Sequence, residues 1–594
     1  MRKYIKQIKE AWVPCLFIAL SACNWQTSEE MKSRSPLNDL ESLYKSDLRE
    51  CIVHLDSLMH LNSEKDNLHY FQKARASFKK LEPILAYVDK NNYKALNQPN
   101  LLKVEEEDFT NIKITDPFGY QVIEEMLHDE RVSKEDLMKN IQLTRNRLIL
   151  ILRNTHLQLK NYHILWLLRE EIVRLATMGI TGFDSPVLEN SLEESRIAYQ
   201  RLNNILTLYK GNFSNGNLFQ LWENEFAKTG QILKADFNSF DRYTFIKEHT
   251  HKQLRLLVET QEDWKIGFPF EKALKNDIIS LFSTGTFNLD YFTGYDKESA
   301  YSEKKAMLGE RLFSDKNLSL IKHMSCASCH KKDLAFTDGL KKFPKQKRNS
   351  PTLLYAALQK GFFYDNRAGS LEGQVSFVVK NENEFHSDLE ELKTFVQKDG
   401  SYRKEFDQLY KRGVTDQNIR NAIASYVRSL INFNSKFDRN INEEENTLTE
   451  GEIKGFNLFM GKAKCATCHF PPVFNGTVPP DFAHTELESL GVPKDNSEKP
   501  GIDDDLGRFD LFGTEERKYF FKTPTVRNIS KTTPYMHNGV YTTLEEVLDF
   551  YNKGGGIGLG IQLEHQTLPE VPLDLSEQEI QDIVSFMNTL YDIY

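Results

Sequence analysis

The sequence predicts an all-α protein: an N-terminal helical bundle followed by two tandem lobes. Three observations carry this. From about residue 40 to residue 285, apolar residues recur at helical spacing and alternating strand patterns are scarce. Further on, the run Cys326-Ala-Ser-Cys329-His330 has a twin, Cys465-Ala-Thr-Cys468-His469. Each of these runs lies between a short amphipathic helix and a closing helix.

The chain has 594 residues, enough for about three to four domains. Residues 1–22 read as an export signal. Arg2, Lys3, Lys6 and Lys9 are followed by an apolar run, Ala11 to Leu20, too short to span a bilayer. The run ends in Leu20-Ser-Ala-Cys23, which resembles a bacterial lipobox and implies that Cys23 is lipidated; an incidental cysteine in an ordinary cleaved signal is the alternative. Residues 23–40 read as a polar tether. No later segment is long and apolar enough for a transmembrane helix. The expectation is a periplasmic, membrane-anchored lipoprotein, with inner or outer membrane undecided.

Residues 41–285 form the helical domain. Ser133-Lys-Glu-Asp136 opens one helix, and Tyr162–Leu175 and Leu192–Tyr209 carry the same period. Gly119-Tyr-Gln121-Val-Ile-Glu124 resembles the Gly-x-His-x-x-Glu motif of imelysin-like helical proteins, and Ala74 to Glu82 is similar too. Gln121 stands where that motif has histidine, so the reading is a structural or docking bundle. Cys51 reads as a small buried hydrophobe. Residues 286–302 look like a linker. Ala306–Phe313 precedes the first Cys-x-x-Cys-His run, and Gly455–Phe459 precedes the second. Asn418–Leu430 closes the first lobe, 303–440. The capping box Ser576–Glu579, followed by Ile580, Ile583, Phe586 and Leu590, closes the second, 450–594.

Two thiols three positions apart, followed at once by an imidazole, are what covalent haem c attachment requires. The cysteines become thioethers and the histidine becomes the proximal iron ligand. A zinc site, an iron–sulfur site or a redox dithiol leaves both trailing histidines unexplained. Two covalently bound haem c groups follow, held by Cys326, Cys329 and His330 and by Cys465, Cys468 and His469, in cytochrome c-like lobes. A haem with a second strong ligand moves electrons, whereas one with an open face binds peroxide. After His330 no His or Met occurs through Leu353; the nearest downstream candidate is His386. The remaining cysteines are Cys15, Cys23 and Cys51, so no pair is left for a structural disulfide. The net charge of -9 argues against a nucleic-acid partner and suits a basic redox partner.

From about residue 303 to 594 the chain resembles the bacterial di-haem cytochrome c peroxidases and the related MauG-type enzymes. The matching blocks are Leu308-Gly-x-x-Leu312-Phe313, Arg348-Asn-x-Pro-Thr352, Tyr364-Asp-Asn-Arg367-Ala-x-x-Leu371-Glu-x-Gln374 and Asn381-Glu-Asn-Glu384. Phe521-Lys-Thr-Pro524-Thr-x-Arg527-Asn528 and Pro534-Tyr-Met-His537-Asn-Gly539 continue the match. The resemblance implies peroxide chemistry at the first haem, with Glu384 as distal acid–base and Gln374 orienting the peroxide. It also implies a calcium ion between the lobes, held by Asn349 and by carbonyls of Thr532 and Pro534. A small electron donor, a cytochrome c or a cupredoxin, is implied as well, and the family is often a homodimer.

The chain departs from the pattern in three places. The distal histidine that caps the first haem in many family members is missing, which predicts an open first haem. The tryptophan between the haems aligns with Tyr364. The methionine on the second haem aligns with Tyr551, as in MauG-type enzymes, with Met536 the rival ligand. The expected activity is reduction of hydrogen peroxide to water. The alternatives are a MauG-like oxidase that oxidises a partner protein or small molecule, and a non-enzymatic electron-transfer cytochrome.

Overall fold

A computed structural model describes residues 35–60, 63–108, 110–294, 297–320 and 324–593. The export signal and Cys23 lie outside the described residues. The tether is shorter than expected, because Ser35 caps a helix that begins at Pro36.

The N-terminal region comprises α1 (Pro36–Met59), α2 (Glu64–Val88), α3 (Lys90–Asn97), a hairpin β1 (Lys103–Asp108) and β2 (Asn111–Thr115), α4 (Tyr120–His128), α5 (Lys134–Asn154), α6 (Asn161–Thr177), α7 (Ser191–Leu208), α8 (Gly216–Ile232) and α9 (His251–Asp263). Side chains of Ser63 and Ser133 accept from the third backbone N–H of α2 and α5, supplying partners that helix starts lack. α1 packs on α2 and α5, and α2 packs on α6 and α7. Cys51 is fully buried in α1, and burial pushes its thiol pKa up. The hairpin, antiparallel with Val104 opposite Ile114, was not expected from the sequence. Its strands are rich in charge, which masks the strand pattern.

The interior of this region is ionic as well as apolar. Arg75 donates to Glu194 at 2.7 and 2.9 Å and to Asn97. Lys79 reaches Glu82 and Asp184, and Arg174 reaches Glu171, Asp184 and Glu82. Burial opposes ionisation of Asp184, but Lys79, Arg174 and Arg75 hold its carboxyl well below the usual range. The two motif residues of α4 are structural. Gln121 donates to the Asn97 carbonyl, and Glu124 accepts from Ser185 and from the backbone N–H groups of Val187 and Leu188.

Residues 286–294 and 297–302 are not an open linker. Phe287 and Phe292 are buried, and Phe287 stacks on Phe433 at 6.0 Å. The apolar side chains in this stretch are covered by the chain that follows.

Beyond it come α10 (Glu303–Ser314), α11 (Leu371–Lys380), α12 (Leu389–Lys398), α13 (Gly400–Leu409), α14 (Asp416–Arg428) and α15 (Glu450–Met460). A two-stranded antiparallel pair, β3 (Leu487–Ser489) and β4 (Phe520–Lys522), is followed by α16 (Leu544–Asn552) and α17 (Glu577–Asn588). Among the described residues the protein is mostly helical, with two small sheets where none was expected. α10 crosses α14 at Gly309, and α15 crosses α17 at Gly455. A Cβ at Gly309 would lie 1.9 Å from the Ala422 carbonyl oxygen, and one at Gly455 would lie 1.9 Å from that of Asp582. Both crossings therefore bring backbones into direct contact.

The N-terminal region packs on the segment around the second Cys-x-x-Cys-His run. Phe183 meets Phe470 edge to face at 5.8 Å. The guanidinium of Arg242, fully buried, donates to the carbonyls of Ile180, Phe237 and Phe240 and lies over Gly461. The Asn457 side chain accepts from the Tyr243 backbone N–H. Among the described residues no helix is long and apolar enough to cross a membrane.

Candidate active site

Cys326–Cys329 is a single helical turn entered from Ser325. His330 follows it, with its backbone N–H on the Cys326 carbonyl at 3.0 Å. Ala335 and Phe336 both take positive φ, 50° and 60°, folding the chain back beneath the imidazole. The Thr352 hydroxyl, from the Arg348-Asn-x-Pro-Thr block, ties down the Ala335 carbonyl at 2.6 Å. The Phe336 carbonyl then accepts from His330 Nδ1 at 2.9 Å. A carbonyl can only accept, so Nδ1 carries a proton, and in the neutral ring the lone pair lies on Nε2.

The second site repeats this. His469 Nδ1 donates toward the carbonyls of Phe474 (3.2 Å) and Pro524 (3.0 Å), and burial pulls its pKa down to about 4. Burial lowers the His330 pKa as well, which favours the neutral ring at both motifs, each oriented by its carbonyl and beside two cysteines. This arrangement fits covalent haem c at each motif.

A cavity of about 380 Å³ opens over the first motif. Cys326, Cys329 and His330 line it, and Gln374, Glu384 and Tyr364 join them. The structure thus brings together all three catalytic candidates. α11 delivers Gln374 and, just beyond its end, Glu384. An ion pair from Glu372 to the buried Arg428 at 2.8 Å clamps α11 onto α14. Burial pushes the Glu384 carboxyl pKa up to about 7, against the pull of Arg367 and Asn381. Arg367 stacks on Phe363, 3.6 Å from the ring centre, and pairs with Asp365 at 2.8 Å.

The Tyr364 hydroxyl donates to Asn349 Oδ1 at 3.3 Å, and burial pushes its pKa up. Its carbonyl accepts from the Lys522 N–H at 2.6 Å. Two residues on from Lys522, Pro524 holds His469. A short run of backbone therefore links the first cavity to the second histidine.

His386 is exposed and is not among the residues lining the cavity. Met324 does line it. Met324 precedes the motif, outside the stretch after His330 in which the sequence places a distal ligand. Arg367 sits inside a recognised block, but nothing in its spacing announced its place beside Glu384.

At the second site Tyr551, on α16, lies against the motif. Burial pushes its phenol pKa up, and the neighbouring Cys468 and Cys465 add to the effect. Met536 occupies a tight turn at φ 69°, with its carbonyl accepting from Gly539. Glu488, on β3, was not anticipated. It lies near Thr567 and Cys468, and burial pushes its carboxyl pKa up to about 7.

As oriented here, the Asn349 amide is engaged by hydrogen bonds and holds no oxygen free for the expected calcium ion. Its nitrogen donates to the carbonyls of Leu340 (2.9 Å) and Pro534 (3.3 Å), and its oxygen is taken by Tyr364. A calcium ligand would turn oxygen toward Pro534. Among the described residues no cluster of three or more His, Cys, Asp or Glu side chains could hold a metal ion.

Comparison with known proteins covers about half of the chain. Residues 303–446 match the family model for di-haem cytochrome c peroxidase. The cytochrome c551 peroxidase of Nitrosomonas europaea is 31% identical over 291 residues, covering 48% of this chain and 79% of that protein. The methylamine utilization protein MauG of Methylorubrum extorquens is 31% identical over 305 residues, covering 50% of this chain and 80% of that protein. Among solved structures, a MauG-like protein associated with microbial copper homeostasis superposes with a TM-score of 0.43 at 28% identity, covering 50% of this chain and 93% of that one.

Proposed function

The chain belongs to the di-haem cytochrome c peroxidase family, an oxidoreductase family acting on peroxide, and from that premise we propose that it reduces hydrogen peroxide to water at the first site. In this reading a small redox protein supplies the electrons and the second site receives them. The enzyme works in the periplasm, anchored through Cys23. The observation that carries the reading is one cavity lined by His330, Gln374 and Glu384, with no His or Met between His330 and Leu353.

When bound, haem c supplies the redox-active iron at each motif. The protein supplies position and protons. Reduction of H₂O₂ by two electrons consumes two protons and yields two waters. Glu384 takes the proton from the near oxygen of peroxide and returns it to the far one, which leaves as water. A carboxyl poised near neutrality holds and releases that proton at comparable cost. The Gln374 amide orients the peroxide. The 522–524 backbone run supports electron passage between Tyr364 and His469.

A second reading, peroxide-driven oxidation of a partner protein or small molecule as in MauG-type enzymes, draws support from Tyr551 beside Cys465 and Cys468.

Mixing fully ferric protein with one equivalent of hydrogen peroxide in a stopped-flow instrument tests both readings. A rapid Soret change without reductant is expected, and rapid decay on adding a reduced donor marks the peroxidase. A long-lived product that decays only with a particular partner marks the oxidase. Absence of any reaction, in ferric or half-reduced protein, overturns both.

A further inference from the structure

One acid of the N-terminal hairpin reaches across to the wall of the first cavity. Glu106, on β1, pairs with Arg508 at 2.8 Å, and their side chains are only 5% and 13% exposed. A two-stranded hairpin is marginal on its own in water, and this one is anchored twice. Arg517 donates to the Val104 carbonyl at 3.0 Å, two residues along the same strand. Its neighbour Glu105, by contrast, is half exposed and pairs with Lys103 of the same strand. A surface pair contributes little, whereas breaking a buried one strands a charge in a dry place.

Arg508 carries this contact inward. Its Nη1 donates to the carbonyls of Asp365 and Asn366, each at 2.9 Å. Those carbonyls belong to the turn that delivers Tyr364 and Arg367 to the cavity. The turn is strained. Phe363 and Asn366 take φ of 63° and 54°, and such a backbone persists only where its surroundings hold it. The Asp365 carboxylate ties the turn down from the other side, through Arg348 at 2.5 Å and Arg367 at 2.8 Å. Arg367 in turn acts on the Glu384 carboxyl. The short helical turn Phe509–Phe512 follows Arg508 directly, and its Asp510 and Leu511 also line the cavity. Arg508 therefore stands behind two segments of the cavity wall, and Glu106 stands behind Arg508.

We propose that Glu106 of the N-terminal hairpin is a positioning residue of the first site, acting through Arg508 on the 363–367 turn. Glu106 fixes the guanidinium, the guanidinium fixes the turn, and the turn sets Arg367 beside Glu384. The N-terminal region thereby completes a cavity whose own lining lies wholly within residues 313–511. The proposal rests on the peroxidase reading for the role of Glu384. Misplacing a catalytic group by about an ångström costs a reaction about 10²-fold, so a contact outside the cavity is able to govern the rate within it. The competing account is a clasp that adds stability and leaves the site untouched.

The test uses the full-length ferric holoenzyme, mixed with cyanide or with hydrogen peroxide in separate stopped-flow experiments. Hydrogen cyanide, like peroxide, gives up a proton as it binds, so its rate reports the distal acid–base group with no electron transfer. Glu106→Ala is expected to lower both second-order rates about tenfold, at a temperature well below its melting midpoint. Glu106→Gln keeps an oxygen for Arg508 Nε but loses the charge, and should lower them about threefold. Glu105→Ala should match wild type. Arg508→Ala should lower both rates at least as far as Glu106→Ala does. Adding Glu106→Ala to it should change nothing further, because the two residues act in one chain. Unchanged rates in Glu106→Ala, whatever its melting midpoint, overturn the proposal and leave the clasp. So does a Glu106→Ala loss that persists in full on the Arg508→Ala background. Should Glu106→Ala fail to fold, Glu106→Gln decides, and wild-type rates in that variant overturn the proposal. If wild-type protein binds cyanide but fails to react with peroxide, the peroxidase reading falls, while the cyanide rates still decide the role of Glu106.

Discussion

Burial pushes the Glu384 carboxyl up to about 7, so at neutral pH it is present in both protonation states. In the peroxidase reading proposed above, its unprotonated form is the one that accepts the first proton of peroxide. The second-order rate of the ferric protein with peroxide should therefore rise with pH through about 7 and then level. Glu384→Gln should lower that rate by about 10²–10⁴-fold and flatten the pH profile, read by stopped-flow across pH 5–9. The same shift has a thermodynamic face. A carboxyl raised above its ordinary 4.5 favours the folded state when protonated, and that contribution is lost as pH rises through about 7. At the second site, Tyr551 lies beside Cys465 and Cys468. Tyr551→Phe should leave two haems covalently attached, seen in the intact mass, yet raise the reduction potential of the second haem in a spectroelectrochemical titration. An unchanged potential would remove Tyr551 from the ligand set and return Met536 to consideration.

The helix pairs α10–α14 and α15–α17 are closed by Gly309 and Gly455, where an added methyl would sit 1.9 Å from a carbonyl oxygen of the facing helix. In an exposed helix, Gly to Ala stabilises by about 1 kcal/mol. Here the sign reverses. Gly309→Ala and Gly455→Ala should each cost about 1–3 kcal/mol as the helices are forced apart, measured as a lowered urea midpoint. The same elements show how far the sequence speaks for itself. The helix capped at Ser133 and the closing helix capped at Ser576 were legible because a capping side chain and an apolar period are local properties. So were the two Cys-x-x-Cys-His runs, whose chemistry lies within five residues. The hairpin at 103–115 was not legible: Lys-Val-Glu-Glu-Glu-Asp shows no apolar alternation, and its order comes from distant partners such as Arg508, which pairs with Glu106 at 2.8 Å. The packing of 286–302 depends on Phe433, far along the chain. Arg75, Lys79 and Arg174 carry no local signal of burial, and only folding reveals the acids that pair with them. Gln374 and Glu384 were assigned through the family pattern; Met324 and Glu488 face the two motifs without any local signal.

Across the whole molecule, the N-terminal region and the second haem motif share one buried junction. Arg242 is its centre, with three carbonyl acceptors and no carboxylate bonded to it; burial lowers its pKa to about 10. A lysine cannot satisfy three diverging carbonyls from one nitrogen without moving. Arg242→Ala should destabilise the protein by about 3 kcal/mol, because those carbonyls lose their donors in a dry interior. Limited proteolysis should then cut between residues 264 and 302 sooner than in wild type. Equal protection in the variant would mean that the two parts are held together elsewhere. The junction also leaves a trace in inheritance. Gly461 has no room for a side chain because a guanidinium from the N-terminal region covers it, and Asn457 is committed to a backbone amide from that same region. In a descendant that lost the bundle, both positions would be released from constraint and drift, while Gly455, closed by its own lobe, would stay fixed.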